Sequence, residues 1–359
     1  MSRITAAVVT EFGQPMQIEE LELCAPRAGE IEVEIEAVAI CHSDIAFAEG
    51  GYGGTPPLVL GHEAAGRVRA CGPGVTDLAP GTRVVLTLIR ACGSCATCAS
   101  GQPTLCRTPA PHPSPLSRPD GTPVAAEMDC GAFASRVVIQ RSQCVAVPEE
   151  MPGEVAALLG CGVITGIGGV VNAGGLRPGE DVVVIGAGGV GLNAIQGARL
   201  AGARRILAVD MSEEKLETAR AFGATDGVLA SGDRPWREAT RALGKGADLV
   251  AVTVGATAAY EAAPRYLDFG GRVVMLGLPH AGAEAAYAPF RLAYSGQRMI
   301  GSKMGDAVIA RDIPWIADLW AQGRLKLEEL ISGRWSLEEI NAAVADTKSG
   351  AARRNVILF

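Results

Sequence analysis

The segment that most restricts the fold begins at Asp181: Asp181-Val-Val-Val-Ile185, then Gly186-Ala-Gly188-Gly189-Val190-Gly191, then an Ala-rich run compatible with a helix. An apolar run followed by G-x-G-x-x-G and a helix is the strand-turn-helix unit of a parallel sheet. Its glycines permit the tight turn, let the backbone approach a pyrophosphate and let the helix pack close to the strand. The helix N-terminus adds unpaired N–H groups and partial positive charge facing the phosphates. Asp210 stands at the end of the next apolar run, where a carboxylate accepts hydrogen bonds from the adenosine ribose and repels a 2′-phosphate. The expected ligand is therefore NAD rather than NADP. Lys215 is spaced to reach the same ribose, and reads nearly as well as a solvated helix residue among Glu213, Glu214 and Glu217.

The alternation of apolar strand and Ala-rich helix continues through 205–209, 213–222, 249–254, 258–266 and 272–276, which predicts an α/β unit with a doubly wound parallel sheet. The first 150 or so residues read differently. Short runs at 6–9, 31–40, 66–70, 83–88 and 134–139, separated by Gly, Pro and Asp, predict a mostly-β unit. From about Arg298 the pattern is mixed again, with a helix near 313–322, a capping box of Ser336 and Glu339, and a last strand at 355–359. A length of 359 residues suits two domains, 1–160 together with 298–359, and 161–297.

Lys+Arg 32 against Asp+Glu 39 gives a net charge of −7, and no basic cluster exceeds the pairs Arg204-Arg205 and Arg353-Arg354. A duplex-binding face needs several cations together, so no nucleic-acid partner is expected. Residues 1–10 hold no long apolar segment of a secretory signal, so the expected address is the cytoplasm. Over 156–176 only Thr165 and Asn172 are polar, yet seven of the 21 residues are glycine, too much backbone freedom for a lipid-exposed helix, and no membrane span is expected.

Ten cysteines without a signal point to metal or catalysis rather than disulfides. Cys92, Cys95, Cys98 and Cys106, spaced C-x2-C-x2-C-x7-C, can close a tetrahedron around a structural zinc. An iron–sulfur cluster fits the spacing less well, because the fourth interval is seven and Arg107 rather than proline follows Cys106. Three other segments carry metal-capable side chains: Cys41-His42-Ser43-Asp44, Gly61-His62-Glu63 and Gly160-Cys161-Gly162-Val163-Ile164-Thr165-Gly166. Two thiolates and an imidazole form a catalytic zinc set that leaves a fourth position open. Taken singly, each cysteine reads as a small buried hydrophobe and His62 as a structural histidine. Cys24, Cys71, Cys130 and Cys144 read as structural, and His112 and His280 carry no assigned role.

In this order, these motifs resemble the zinc-dependent medium-chain alcohol dehydrogenase family over essentially the whole chain, down to Ser349-Gly-Ala-Ala-Arg-Arg-Asn-Val-Ile357. The branch it is most similar to is that of classical alcohol dehydrogenases and thiol-adduct formaldehyde dehydrogenases. The resemblance implies a GroES-like mostly-β catalytic domain and a Rossmann nucleotide domain, two zinc ions per chain, NAD, a small-molecule alcohol or aldehyde substrate, and a homodimer or homotetramer. It implies Cys41, His62 and Cys161 as catalytic zinc ligands, Glu63 as an alternate ligand, and Asp44 as the partner that orients His62. Ser43 would exchange a proton with the substrate oxygen. His42 and Arg354 would contact the pyrophosphate, Thr165 and Val190 would line the nicotinamide, and Leu88 would shape the substrate pocket.

The expected reaction is reversible hydride transfer between nicotinamide and an alcohol, aldehyde or ketone held at the zinc. The alternative is oxidation of the S-hydroxymethyl adduct of a small thiol, and the remote one a non-catalytic zinc- and nucleotide-binding protein. One position departs from the family pattern: the histidine that many members use to end a proton relay is Ala46 here.

Overall fold

Alternating and β-branched runs become the strands of a barrel and two sheets in the computed structural model, which describes residues 1–359. The chain divides into two units, Met1–Cys161 with Val308–Phe359, and Gly162–Ala307.

In the first unit the strand Glu30–Ala39 pairs antiparallel with Glu63–Cys71, Arg136–Gln140 and Arg354–Leu358. It belongs to a seven-stranded sheet that also holds Cys144–Ala146, Arg83–Leu86 and Ile331–Ser336. A closed barrel of Ser2–Val9, Gln17–Leu23, Leu116–Ser117, Pro123–Ala126 and Leu58–Val59 completes it. Leu21, Leu23, Ile31, Leu58, Leu86, Phe133 and Ile139 are fully buried there. Each such side chain contributes about 1.5–3 kcal/mol of transfer free energy.

The second unit is a six-stranded parallel sheet in the order Asp226–Leu229, Arg205–Asp210, Asp181–Ile185, Ala247–Val252, Leu267–Met275 and Arg298–Gly301. The strand order reverses between Asp181–Ile185 and Ala247–Val252. In open α/β sheets ligands bind at that crevice, beyond the carboxyl ends of the strands.

Several boundaries differ from expectation. The chain leaves the nucleotide unit after Ala307 rather than at 298, because Arg298–Gly301 pairs with Leu267–Met275 as a sixth strand. Cys161 falls in the first unit, so the division comes one residue later than expected. After Ser336, whose N–H donates to Glu339 Oε2 at 2.9 Å, a 3-10 turn Leu337–Glu339 precedes the α-helix Ile340–Ser349. The apolar stretch 156–176 breaks into the helices Gly153–Leu158 and Gly162–Gly168 and a π-helical turn Gly169–Ala173. No helix is long and apolar enough to cross a membrane.

Candidate metal and cofactor sites

The helix His42–Ala48 starts at Cys41, and Asp44 closes its first turn by accepting the Cys41 N–H at Oδ2, 3.0 Å away. Oδ1 of Asp44 accepts the Gly61 N–H at 3.0 Å and lies 3.0 Å from Nδ1 of His62. One buried carboxylate thus joins the segments carrying the first cysteine and the histidine. Cys161 follows the helix Gly153–Leu158, and its sulfur, the Cys41 sulfur, a His62 ring nitrogen and a Glu63 oxygen all lie within 4.8 Å of one another.

The chemistry of this group suits a zinc ion. With Nδ1 engaged by Asp44, Nε2 of His62 is buried without a hydrogen-bond partner, a lone pair turned toward two thiols. A dication on two thiolates and a neutral imidazole is electrically neutral, and Nη2 of Arg354 lies 3.2 Å from Oε1 of Glu63. The two thiols titrate together. The hydrogen bond between them, against the effect of burial, holds Cys41 well below the usual thiol range, and that bond with burial holds Cys161 well above it. Burial works against a charged His62, but Asp44 and Cys41 keep the imidazole well above its usual value. Burial, partly offset by Arg354, pushes Glu63 up to about 8. Protons held in this way are those a metal must displace.

Ser43, half-buried, donates from Oγ to the Cys41 sulfur at 3.1 Å, which sets its hydroxyl against the metal group. His42 is exposed, and Leu88 is half-buried just beyond the strand Arg83–Leu86. Arg354 has a partner that sequence reasoning did not assign. Its side chain is 6% exposed, faces Glu63, and donates to the Ile40 carbonyl at 3.4 Å. Tyr52 was also missed. Its ring meets Phe47 edge-on at 5.2 Å, and burial, then the charge at Cys41, raises its phenol above the ordinary range. The signal available was two aromatic residues close behind Cys41 in a chain with only 4% aromatics.

Cys92, Cys95, Cys98 and Cys106 form the second group, also within 4.8 Å. Cys92 and Cys98 sulfurs are 4.0 Å apart and Cys95 and Cys106 sulfurs 3.9 Å apart. Tetrahedral Zn–S bonds of about 2.3 Å require sulfur separations of about 3.8 Å, so this cage matches a closed structural site.

In the second unit the helix Gly189–Leu200 begins at the glycine turn. A Cβ on Gly191 would lie 1.8 Å from the Gly186 carbonyl oxygen, whereas one on Gly188 would meet nothing within 4 Å. The turn is packed where helix meets strand and open where a pyrophosphate must approach. Asp210 ends its strand with Oδ2 accepting the Ala187 N–H at 2.7 Å and Oδ1 accepting the Ser212 N–H at 3.2 Å. Its carboxylate is thereby set beside the glycine turn. Lys215 is half-buried in the first turn of the helix Glu213–Phe222, its N–H held by Ser212. Thr165 and Val190 sit on adjoining helices, where a Cβ on Gly166 would come 2.4 Å from the Val190 carbonyl oxygen. These residues fit a dinucleotide. His280 is exposed, and Nδ1 of His112 lies 3.0 Å from Glu30 in the first unit.

Comparison with known proteins shows the family. Residues 27–149 match the family described as alcohol dehydrogenase GroES-like domain, and residues 189–321 that described as zinc-binding dehydrogenase. The chain is 36% identical to the NDMA-dependent alcohol dehydrogenase of Amycolatopsis methanolica over 98% of each chain. It is 34% identical to the S-(hydroxymethyl)glutathione dehydrogenase of Paracoccus denitrificans, over 99% of this chain and 100% of that one. The crystal structure of benzyl alcohol dehydrogenase from Acinetobacter calcoaceticus superimposes with a TM-score of 0.93 at 28% identity, over 100% of each chain.

Proposed function

The chain belongs to the zinc-dependent medium-chain alcohol dehydrogenase family, and from that premise we propose that Cys41, His62 and Cys161 hold the catalytic metal while Ser43 handles the proton of the alcohol. The protein is a zinc- and NAD-dependent oxidoreductase acting on CH–OH groups. When bound, zinc supplies Lewis acidity to the substrate oxygen and NAD accepts the hydride. The single observation that carries this reading is the orphaned Nε2 of His62 facing two thiols.

Ser43 accepts the alcohol proton at Oγ and passes on its own. Ala46 has no group to receive it, so the onward carrier would be a water chain or a rotated His42. Asp44 holds the His62 tautomer, leaving Nε2 as donor to the metal. Glu63 serves as alternate ligand, with Arg354 balancing its charge. The glycines at 186, 188, 189 and 191 cradle the pyrophosphate, Asp210 and Lys215 hold the ribose, His42 and Arg354 reach the pyrophosphate, and Thr165 and Val190 line the nicotinamide. Cys92, Cys95, Cys98 and Cys106 hold a structural zinc.

For substrate we favour free primary or secondary alcohols with aromatic or allylic groups. The Phe47–Tyr52 pair close to Cys41, and the likeness to a benzyl alcohol dehydrogenase, support this, with Leu88 shaping the pocket. A second reading, oxidation of an S-hydroxymethyl thiol adduct, is supported by the Paracoccus relative. NADH formation across aliphatic, benzylic and allylic alcohols, and with formaldehyde plus and minus glutathione, separates the two. Turnover confined to formaldehyde plus thiol sinks the first, and no turnover by zinc-replete protein sinks both.

A homo-oligomer is supported by Phe269, Phe290 and Tyr294, all at least 70% exposed and in ring contact, next to the open edge strand Arg298–Gly301. A cytoplasmic address is supported by ten cysteines without a disulfide, as a reducing compartment keeps them.

A further inference from the structure

Within the Gly162–Ala307 unit, three successive residues have left-handed backbone: Met304 with φ 55°, Gly305 with 67° and Asp306 with 50°. Glycine adopts this region freely, but methionine and aspartate do so only where surrounding contacts hold them. Here Gly305 is pressed onto the helix Gly162–Gly168. A Cβ on Gly305 would come 2.5 Å from the Ile164 carbonyl oxygen, and one on Gly168 would come 2.4 Å from the Gly305 carbonyl oxygen. The helix then widens into the π-helical turn Gly169–Ala173, which carries Asn172, and Nδ2 of Asn172 donates to that same Gly305 carbonyl at 3.4 Å. On the other side the Ser302 hydroxyl donates to Asp306 Oδ1 at 3.1 Å. Held so, Met304 is buried, and its sulfur receives the Thr165 hydroxyl at 3.8 Å.

We propose that Asn172 is a positioning residue for hydride transfer. By clamping the 304–306 turn to the helix, it fixes Met304 against Thr165 and so sets where the nicotinamide end of the cofactor rests. The inference depends on the reading above in which Thr165 and Val190 line the nicotinamide. Both belong to one rigid pair of helices, joined where Gly166 meets the Val190 carbonyl, so a shift of the turn acts on the pocket through Met304 and Thr165. The adenosine half of the cofactor is held elsewhere, at the glycine turn and Asp210. The two halves of the ligand therefore respond differently to a change at Asn172.

The test measures binding of NAD and of ADP-ribose, which lacks nicotinamide, to the zinc-replete protein and to its Asn172→Ala and Gly168→Ala variants, with steady-state rates. In Asn172→Ala the NAD dissociation constant is expected to rise and kcat to fall roughly five- to tenfold, while ADP-ribose affinity and the KM for alcohol stay within about twofold. Gly168→Ala, which drives a methyl into the Gly305 carbonyl, produces the larger change of the same kind. If that variant fails to fold, the half-buried Asn172→Ala decides. Equal losses for NAD and ADP-ribose in Asn172→Ala, or no loss for either, overturn the assignment. Wild-type protein that binds neither ligand, or binds them without discrimination, refutes the nicotinamide reading beneath it. A variant that keeps the wild-type discrimination and kcat refutes the role of Asn172 alone.

Discussion

Nδ1 of His62 lies 3.0 Å from Oδ1 of Asp44, and neither side chain is open to solvent beyond 1%. The same carboxylate accepts the backbone N–H groups of Cys41 and Gly61, so it orients one metal ligand and seats the segments bearing two. Asp44→Asn keeps the shape but loses the charge and one acceptor. Zinc affinity at this centre is expected to fall roughly 10- to 100-fold while the four-cysteine cage keeps its ion. Chelator titration with metal analysis checks this, and unchanged retention would contradict the role.

The two cysteine-bearing groups are built from separate segments, so they should lose metal separately. Cys161→Ser is expected to lower metal content by one ion per chain and abolish turnover, whereas Cys106→Ser removes the other ion and chiefly lowers thermal stability. Loss of both ions from Cys161→Ser would show that the sites are coupled.

Asp210 is held beside the glycine turn by the Ala187 N–H, where it disfavours a 2′-phosphate. Asp210→Gly is expected to shift the ratio of kcat/KM for NAD over NADP by about tenfold or more toward NADP, equivalent to about 1.4 kcal/mol. An unmodified protein that already prefers NADP would refute the ribose assignment.

Arg272 is nearly buried and ties the nucleotide sheet to Glu180, Nη2 to Oε2 at 2.6 Å, with a second bond to Oε1 at 3.2 Å. Against burial, which raises it, hydrogen bonds from Arg272 hold the Glu180 carboxyl below the usual range. A carboxyl lowered on folding adds stability above its unfolded pKa and loses it as pH falls through the folded value. Glu180→Gln should therefore cost about 1–2 kcal/mol at neutral pH, and the difference from wild type should shrink below about pH 4. Denaturant melts at several pH values read both, and a gap that widens in acid would show the sign to be wrong.

Phe290 is 80% exposed and stacks on Tyr294 at 5.7 Å. If this aromatic group is an interface between copies, Phe290→Asp should reduce the mass seen by sedimentation while leaving the fold intact by circular dichroism. An unchanged assembly would place the interface elsewhere.

What was legible in the sequence is what is local. The G-x-G-x-x-G turn, the four-cysteine spacing and Asp210 declare themselves within a few residues because backbone geometry and metal coordination fix those intervals. The strand Gln17–Leu23 was not anticipated, since four of its seven residues are Gln or Glu and only Leu21 and Leu23 of its apolar residues are fully buried. Arg298–Gly301 was too short to register, and its character comes from the neighbour it pairs with. The pairing of Arg354 with Glu63 is a tertiary fact: nothing near either residue announces a partner that arrives on a different strand.

That pairing also has a bearing on how the protein is made. Glu63 leaves the ribosome early, and the whole Gly162–Ala307 unit is translated before Arg354 emerges on the strand that slots between Ile331–Ser336 and Glu30–Ala39. The nucleotide unit is contiguous in sequence and can fold on the nascent chain. The sheet beneath the metal group must wait, its last two strands missing and its buried carboxylate without a counter-charge. Early occupation of the three-ligand site by metal would therefore meet a half-built pocket, so the order of translation favours loading this centre after Arg354 has joined the sheet.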